Sequence, residues 1–281
     1  MTWAEVYKKA ESILKREYKD TYKYEIYSIL KHCFNISKID LIMKKDEAVE
    51  PEVQKKLFDI IKLRTEHVPL QYILGYWYFM DLKFKVGEGV LIPREDTEVL
   101  VKKSLDYLQN VEGPKIIDLC SGSGCVAISV KKNLGEKSEV YAAELSQIAF
   151  SYLQENIFLN ECKVTAINGD VFKISSDFQD EFFDAVISNP PYIKTGDLSC
   201  LQEEVKKEPR LALEGGEDGL YFYKNICKTW IPKLKSGGMI AFEVGFDQAQ
   251  DVKTIMENYG IKAIRIFKDI NNIDRAVIGQ K

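Results

Sequence analysis

The spacing of apolar residues changes along the chain, from a helical pattern near its start to an alternation of strands and helices later. In the first segment, Val6, Ala10 and Leu14 recur at the spacing of one helix face. Thr2 and Glu5 just before and within this run form the pattern of a capping box, which marks a helix start. The sequence therefore predicts that the chain opens with a helix capped by Thr2.

More helices are predicted downstream. One covers residues 24–34, a short one follows Asn35, and Pro51 begins another because proline is favoured at the first helical position. We therefore predict a small all-α domain over residues 1–68. Because this part contains no polar cluster suited to chemistry, we interpret it as a substrate-recognition domain.

A linker with a β-hairpin is predicted over residues 69–95. Apolar positions alternate from Leu82 to Val86, residues 87–89 (Gly-Glu-Gly) have the composition of a turn, and residues 90–93 supply a return strand. A helix then begins near residue 97, with Asp96 or Thr97 as its cap.

From residue 114 onward, predicted strands and helices alternate. The strands are expected at residues 115–120, 139–145, 164–167, 185–187, 239–244, 261–267 and 276–278. Such alternation specifies a parallel sheet covered by helices on both faces. A short loop joins the last two strands, so they form an antiparallel hairpin, which is not typical of a plain dinucleotide dehydrogenase. The predicted fold class is therefore α/β, with a Rossmann-like, seven-stranded, mostly parallel sheet and an antiparallel C-terminal hairpin within residues 96–281.

Composition narrows the function classes. The net charge is −4, with +2 in residues 1–68 and −6 in the remainder, which argues against a surface built to bind a phosphate backbone. Six cysteines without a Cys-x-x-Cys pair, together with two histidines, argue for reduced thiols and against a metal site. The first residues lack a signal-peptide pattern and no apolar segment has membrane-spanning length, so we expect a cytoplasmic protein.

Polar groups follow the first three strands of this sheet. A glycine-containing loop at residues 120–124 opens a helix, whose N–H groups can bind a carboxylate. Glu144 ends the second strand, where a carboxylate can accept from both hydroxyls of a ribose. Asp170 follows the third strand, beside Val171 and Phe172, and can accept from the exocyclic amine of an adenine. The candidate cofactor-binding residues are Asp118, Cys120, Ser121, Gly122, Ser123, Gly124, Glu144, Asp170, Val171 and Asn189.

The fourth strand ends in Asn189, Pro190, Pro191 and Tyr192. Two prolines stop the sheet ladder and hold Asn189 extended. The acceptors at this strand end can take both hydrogens of a planar –NH2 group, while the Tyr192 ring stacks on its plane. Taken alone, the proline pair is also compatible with a surface turn.

The four strand ends together resemble those of class I S-adenosylmethionine-dependent methyltransferases. The resemblance narrows to the protein-(glutamine-N5) methyltransferase family that modifies peptide chain release factors when further motifs are included, at residues 69–75, 91–94, 118–124, 188–193 and 214–220. The family usually has Gly where Cys120 stands, Asp where Glu144 stands and often an aromatic residue where Val171 stands. Its linker motif Pro-Arg-Pro-Glu-Thr-Glu also differs from residues 93–98.

The resemblance implies S-adenosylmethionine as cofactor and methyl transfer to the side-chain amide nitrogen (N5) of the glutamine in the Gly-Gly-Gln motif of release factors. Residues 96–281 would then be the S-adenosylmethionine-binding domain. The expected catalytic residues are Asn189, Pro190 and Tyr192, and the expected substrate-binding residues are Asn189, Pro190, Pro191 and Tyr192. Candidates for a cofactor or lid contact are Arg94, Thr97 and Glu98.

Several alternatives stay open. The substrate could be a glutamine of a ribosomal protein, or an exocyclic amine of adenine or guanine in nucleic acid, which the acidic net charge disfavours. A non-catalytic binding module with the same fold is the third alternative. We expect release factors as partners, no membrane or nucleic-acid partner, no metal, and a monomer.

Overall fold

The computed structural model describes residues 1–281, which fold into two compact units. The first comprises Met1–Tyr76 together with Gln202–Lys207, and the second comprises Trp77–Leu201 together with Glu208–Lys281. The three-part division with boundaries at residues 68 and 95 stays a prediction. None of the helices is long and apolar enough to cross a membrane.

The first unit is helical, as expected. Thr2 accepts from the backbone N–H of Glu5, whose side chain binds the Thr2 N–H in return, and Pro51 occupies the first position of its helix, so both predicted starts are confirmed. The helices are α1 (Trp3–Glu17), α2 (Tyr22–Phe34), α3 (Lys38–Met43), α4 (Pro51–Thr65) and α5 (Leu70–Leu74), with a 3-10 turn at Val205–Lys207.

A buried arginine ties the two sequence segments of the first unit together. Arg64, which is 1% exposed, donates from Nε to Glu25 Oε2 at 2.8 Å and from Nη2 to Glu204 Oε1 at 3.0 Å. Its guanidinium also lies 4.1 Å from the centre of the Tyr18 ring. Two carboxylates and an aromatic face thus compensate the cost of burying this charge.

The position predicted for the β-hairpin was wrong. The hairpin consists of β1 (Tyr76–Phe79) and β2 (Leu82–Lys85), and its turn is formed by Met80 and Asp81, both with positive φ. Residues 90–93 form no strand.

Close packing explains the two glycines that suggested a turn farther along. A Cβ on Gly87 would lie 2.2 Å from the Tyr152 hydroxyl, and one on Gly89 would lie 2.5 Å from Ile148. These glycines therefore allow the backbone to approach a helix. The Val90 N–H also donates to the Gly87 carbonyl at 3.3 Å, so residues 87–90 do form a turn, but no strand follows it.

The predicted seven-stranded sheet is confirmed. Its order is β5-β4-β3-β6-β7-β9-β8, with β9 antiparallel to both of its neighbours. The strands are β3 (Lys115–Leu119), β4 (Glu139–Glu144), β5 (Val164–Asn168), β6 (Phe183–Ser188), β7 (Leu234–Glu243), β8 (Lys262–Lys268) and β9 (Asp274–Gln280). The helices are α6 (Thr97–Leu108), α7 (Cys125–Leu134), α8 (Gln147–Leu159), α9 (Tyr221–Trp230) and α10 (Ala249–Asn258), with 3-10 turns at Ile174–Asp177, Thr195–Cys200, Arg210–Ala212 and Ile231–Lys233.

The order of the strands reverses beside β3. Leu119 at the end of β3 pairs with Ala143 of β4 on one side and with Ser188 of β6 on the other. In open α/β sheets, ligands bind outside the carboxyl ends of the strands at such a reversal. The sheet order therefore brings the polar groups after β3, β4, β5 and β6 to one edge.

A buried asparagine connects the hairpin to the loop after β3. Asn156 of α8 accepts from the Lys85 N–H at 2.6 Å and donates to the Lys85 carbonyl at 3.0 Å. Its Nδ2 also donates to the Ser123 carbonyl at 2.9 Å. A single side chain thus holds the end of β2 against the glycine-containing loop.

Candidate active site

A cavity of about 250 Å³ opens at this edge of the sheet. Of the residues predicted from the sequence, its wall contains Arg94, Thr97, Asp118, Cys120, Ser121, Gly122, Ser123, Glu144, Asp170, Val171, Asn189 and Pro191. The predicted residues that are not part of the wall are Glu98, Gly124, Pro190 and Tyr192. The fold therefore gathers most of the candidates around one space.

The loop after β3 adopts a conformation that usually requires glycine. Cys120 has a φ of +59°, in the left-handed region that favours glycine. Ser121 then donates its N–H to the Ala143 carbonyl at 2.9 Å, which holds the loop against the end of β4.

Asp118 supports the helix that follows this loop. Its Oδ2 accepts the Ala127 N–H of α7 at 3.1 Å. Burial raises the pKa of this carboxyl to about 7, because the charged form loses its hydration. Asp118 therefore contributes both a helix anchor and a group that titrates near neutral pH.

Glu144 braces two loops of the cavity. Its Oε2 accepts the Gly122 N–H at 2.8 Å, and its Oε1 accepts the Ser146 N–H at 2.7 Å. Burial raises the pKa of this carboxyl, while the two backbone donors lower it. The carboxylate stands at the end of β4, where the sequence pattern placed a ribose acceptor.

The third strand end supplies a carboxylate and an apolar wall. Asp170 Oδ1 accepts the Phe172 N–H at 3.0 Å, and its Oδ2 lies 3.5 Å from the ammonium of Lys173. Val171 is buried, and its carbonyl accepts from the indole N–H of Trp230 at 2.8 Å. The side chain of Val171 is thus fixed in the wall by the core beneath it.

Two aromatic residues of this wall were missed by reasoning from the sequence. The ring of Phe172 lies 5.5 Å from that of Phe222 and 5.7 Å from that of Tyr221, and all three line the cavity. Tyr221 and Phe222 follow a recognised motif at residues 214–220, and this adjacency was the available signal. Phe172, Tyr221 and Phe222 therefore supply the aromatic surface that Val171 does not.

Asn189 is oriented by a side chain distant in sequence. Its Nδ2 donates to Thr97 Oγ1 at 3.3 Å, and Thr97 is 2% exposed at the start of α6. Because the amide nitrogen is used in this way, Oδ1 is the atom of Asn189 left to accept from a ligand.

Tyr192 is held at both its backbone and its hydroxyl. Its carbonyl accepts from Gln248 Nε2 at 2.9 Å, and its hydroxyl donates to Glu243 Oε1 at 3.3 Å. A Cβ on Gly215 would lie 2.6 Å from the Tyr192 Cα, so the glycine allows the 213–216 segment to lie directly on this strand end. Glu243 and Gln248 were not predicted from the sequence, although Glu243 ends β7 and Gln248 follows that strand.

The remaining lid candidates make different contacts. Arg94 forms an ion pair with Glu208, which is buried and also accepts the Ile92 N–H at 2.9 Å. Glu98 forms an ion pair with Lys102 at 2.6 Å outside the cavity wall. Arg94 thus anchors the segment that follows Asn-Pro-Pro-Tyr, and Glu98 supports its own helix.

Comparison with known proteins agrees with this architecture. The profile of the PrmC N-terminal domain matches residues 5–75, and that of the methyltransferase small domain matches residues 96–220. The crystal structure of a methyltransferase from Pyrococcus furiosus superimposes with a TM-score of 0.53 at 16% identity, covering 83% of this chain and 99% of that one. The fold and the cavity define a methyltransferase that uses S-adenosylmethionine.

The relatives specify the family. A release factor glutamine methyltransferase from Thermodesulfovibrio yellowstonii is 40% identical over 261 residues, covering 92% of each chain. One from Clostridium acetobutylicum is 37% identical over 273 residues, covering 96% of this chain and 95% of the relative. The chain belongs to the release factor glutamine methyltransferase family.

Proposed function

We propose that this protein transfers a methyl group from S-adenosylmethionine to the N5 atom of the glutamine in the Gly-Gly-Gln motif of peptide chain release factors. The observation that carries the proposal is the hydrogen bond from Asn189 Nδ2 to Thr97, which leaves Oδ1 to accept from an amide N–H. A side chain so oriented suits a substrate that offers a planar –NH2 group.

The residues of the cavity fit the cofactor. Gly122 leaves open space where a side chain would stand, at the start of a helix whose N–H groups favour a carboxylate. Glu144 stands where a ribose acceptor is required, and Asp170 with Phe172 offers an acceptor and an aromatic face for adenine. When bound, S-adenosylmethionine supplies an electrophilic methyl group on a sulfonium.

The chemical difficulty lies in the amide, whose nitrogen lone pair is delocalised and weakly nucleophilic. Asn189 Oδ1 and the Pro190 carbonyl would accept its two hydrogens and orient the nitrogen. Both acceptors also stabilise the positive charge that develops on the amide during transfer. The wall contains no histidine, and no strong base is required because the proton can leave to water after transfer.

Tyr192 would stack on the substrate amide, and Pro191 would form part of its binding surface. The hydrogen bonds from Gln248 and to Glu243 hold Tyr192 against reorientation. Rigid support of this kind favours a single reactive geometry, and holding the reactants in that geometry accelerates the reaction.

Release factors are the proposed substrate because the relatives that match nearly the whole chain are named for that activity. Methylation of a ribosomal-protein glutamine or of a nucleic-acid base is less well supported by these relatives and by the acidic net charge. We further propose that the protein acts as a monomer in the cytoplasm, without direct nucleic-acid or membrane binding.

Mass spectrometry tests this proposal directly. A purified release factor is incubated with this protein and S-adenosylmethionine, and a single added methyl group is expected on the glutamine of Gly-Gly-Gln. A release factor in which that glutamine is replaced by asparagine serves as the control. No modification, despite measured cofactor binding, would contradict the proposed substrate.

A further inference from the structure

Glu243, at the carboxyl end of β7, has a buried side chain behind the Asn-Pro-Pro-Tyr run and is 2% exposed. Its Oε1 accepts from the Tyr192 hydroxyl at 3.3 Å. Its Oε2 is buried without a hydrogen-bond partner. Burying such an oxygen costs free energy, so its presence beside a reaction site points to a functional role.

Thr97 connects this carboxyl group to Asn189. Its hydroxyl faces Glu243 and lowers the pKa of that carboxyl, while its Oγ1 accepts from Asn189 Nδ2 at 3.3 Å. Because a threonine hydroxyl carries a single hydrogen, accepting from Asn189 leaves that hydrogen to point toward the carboxylate. The donor of Asn189 therefore points to Thr97, and the hydroxyl hydrogens of Thr97 and Tyr192 point toward the carboxylate of Glu243. We call this arrangement the hydrogen-bond path.

We propose that Glu243 is a positioning residue whose carboxylate, by accepting from the Tyr192 hydroxyl and attracting the hydroxyl hydrogen of Thr97, fixes Asn189 with its Oδ1 toward the substrate amide. Protonation of Glu243 would turn one of its acceptor oxygens into a donor, so the hydroxyls of Thr97 and Tyr192 would no longer both be directed toward it. The inference rests on the proposed function, because it assigns Oδ1 to the amide that is methylated.

The charge of Glu243 changes near neutral pH. Burial raises the pKa of its carboxyl to about 7, with Asp96 acting in the same direction, while Thr97, Tyr192 and Arg275 lower it. The carboxylate form therefore predominates above this pH and is lost below it. We expect the methylation rate to rise as the pH increases through about 7.

The ionisable groups that face Glu243 come from several elements. Arg275 of β9 is paired with Asp96 at 3.0 Å, and burial raises the pKa of the Cys125 thiol to about 12 and that of the Tyr223 phenol well above its usual value. Burial raises the pKa of Asp118 to about 7 as well, so only a variant assigns the pH step to Glu243.

Steady-state kinetics of methylation of a purified release factor between about pH 5.5 and 9 test the inference, with Glu243→Gln compared to wild type. We expect kcat to fall about 10- to 100-fold, the rate equivalent of one hydrogen bond to a charged group, and the step near pH 7 to disappear. The KM for S-adenosylmethionine should change little. Glu257→Gln, an exposed change on α10, is the control and should match wild type.

Equal kcat and an unchanged pH profile for Glu243→Gln would overturn the inference. If this variant does not fold, as judged by circular dichroism, Tyr192→Phe and Thr97→Val replace it, and each should lower kcat with little change in the KM for the cofactor. Wild-type rates for both of these variants would also overturn the inference.

A second measurement separates this inference from the proposed function. The carboxyl carbon of Glu243 is titrated by NMR in wild type, Tyr192→Phe and Thr97→Val, and the pKa should rise in both variants because each removes a hydroxyl that lowers it. An unchanged pKa of Glu243 in both variants would overturn the proposed hydrogen-bond path. If wild type does not methylate release factors, the proposed function fails while this titration still decides the hydrogen-bond path.

Discussion

The side chain of Asn189 donates from Nδ2 to Thr97 Oγ1, a residue that lies 92 positions earlier in the chain, at 3.3 Å. The bond joins the end of β6 to the first residue of α6. It determines which atom of the amide is offered to a ligand, and with it the kind of group that the site can bind.

Replacement of Asn189 by alanine should abolish most turnover. We expect kcat to fall about 100-fold or more, since a positioned group that stabilises developing charge is removed. The affinity for S-adenosylmethionine should fall less, because the loops after β3 and β4 are unchanged. Steady-state kinetics and calorimetric titration measure the two effects, and an unchanged kcat would contradict the role assigned to Asn189.

Glu144→Gln should weaken cofactor binding about 10- to 100-fold and destabilise the fold by about 1–3 kcal/mol. The carboxylate accepts from the N–H groups of both Gly122 and Ser146, whereas an amide can accept from only one and directs its own N–H groups toward the other. Calorimetry with S-adenosylmethionine and thermal unfolding provide the measurements. Glu155→Gln, an exposed change on α8, is the control, and equal affinities for all three proteins would rule out this role.

Cys120 offers a test of backbone strain at the first loop position. Because its φ is +59°, Cys120→Gly should leave stability within about 1 kcal/mol of wild type, whereas the β-branched Cys120→Val should destabilise by about 1–2 kcal/mol or more. Urea unfolding of the two variants gives the comparison. If valine were tolerated as well as glycine, the left-handed conformation of this residue would be in doubt.

The pKa of Asp118 predicts how stability depends on pH. A carboxyl whose folded-state pKa is raised from 3.8 to about 7 binds its proton more tightly in the folded state. The stability that it contributes is complete below about pH 4 and is lost as the pH rises to about 7. Asp118→Asn exchanges no proton at this site, so its stability relative to wild type should increase between about pH 4 and 7 and then level off.

Urea unfolding of wild type and Asp118→Asn across this range measures the difference in their free energies of unfolding. Glu243, whose carboxyl also has a pKa of about 7, is present in both proteins and cancels in the difference. A difference that does not vary with pH would show that Asp118 is not buried as a titrating group.

Elements with local signals could be predicted from the sequence. The capping pair of Thr2 and Glu5 and the proline at residue 51 mark helix starts through contacts within one turn, and both starts are confirmed. The hairpin was placed wrongly because a glycine-containing turn need not join two strands. Residues 87–90 do turn, and Gly87 and Gly89 also allow close packing, but no strand follows them. The hairpin turn is made by Met80 and Asp81, neither of which is a glycine.

The aromatic wall of the cavity and the support of Tyr192 could not be predicted in the same way. Phe222 contacts Phe172 across 50 positions of sequence, and Gln248 contacts the Tyr192 carbonyl across 56. Which of the many polar and aromatic residues meet depends on the order of the strands, and neighbouring residues do not encode that order.

The sequence by itself determined the alternation of strands and helices, the polar groups at four strand ends and the family that these motifs resemble, because each of these depends on residues close together in the chain. Only the tertiary structure decided that β9 lies between β7 and β8, that Thr97 orients Asn189, and that Glu243 lies behind Tyr192. The physical reason is that a hydrogen bond is directional and short, so its existence depends on the packing of distant elements to within a fraction of an ångström.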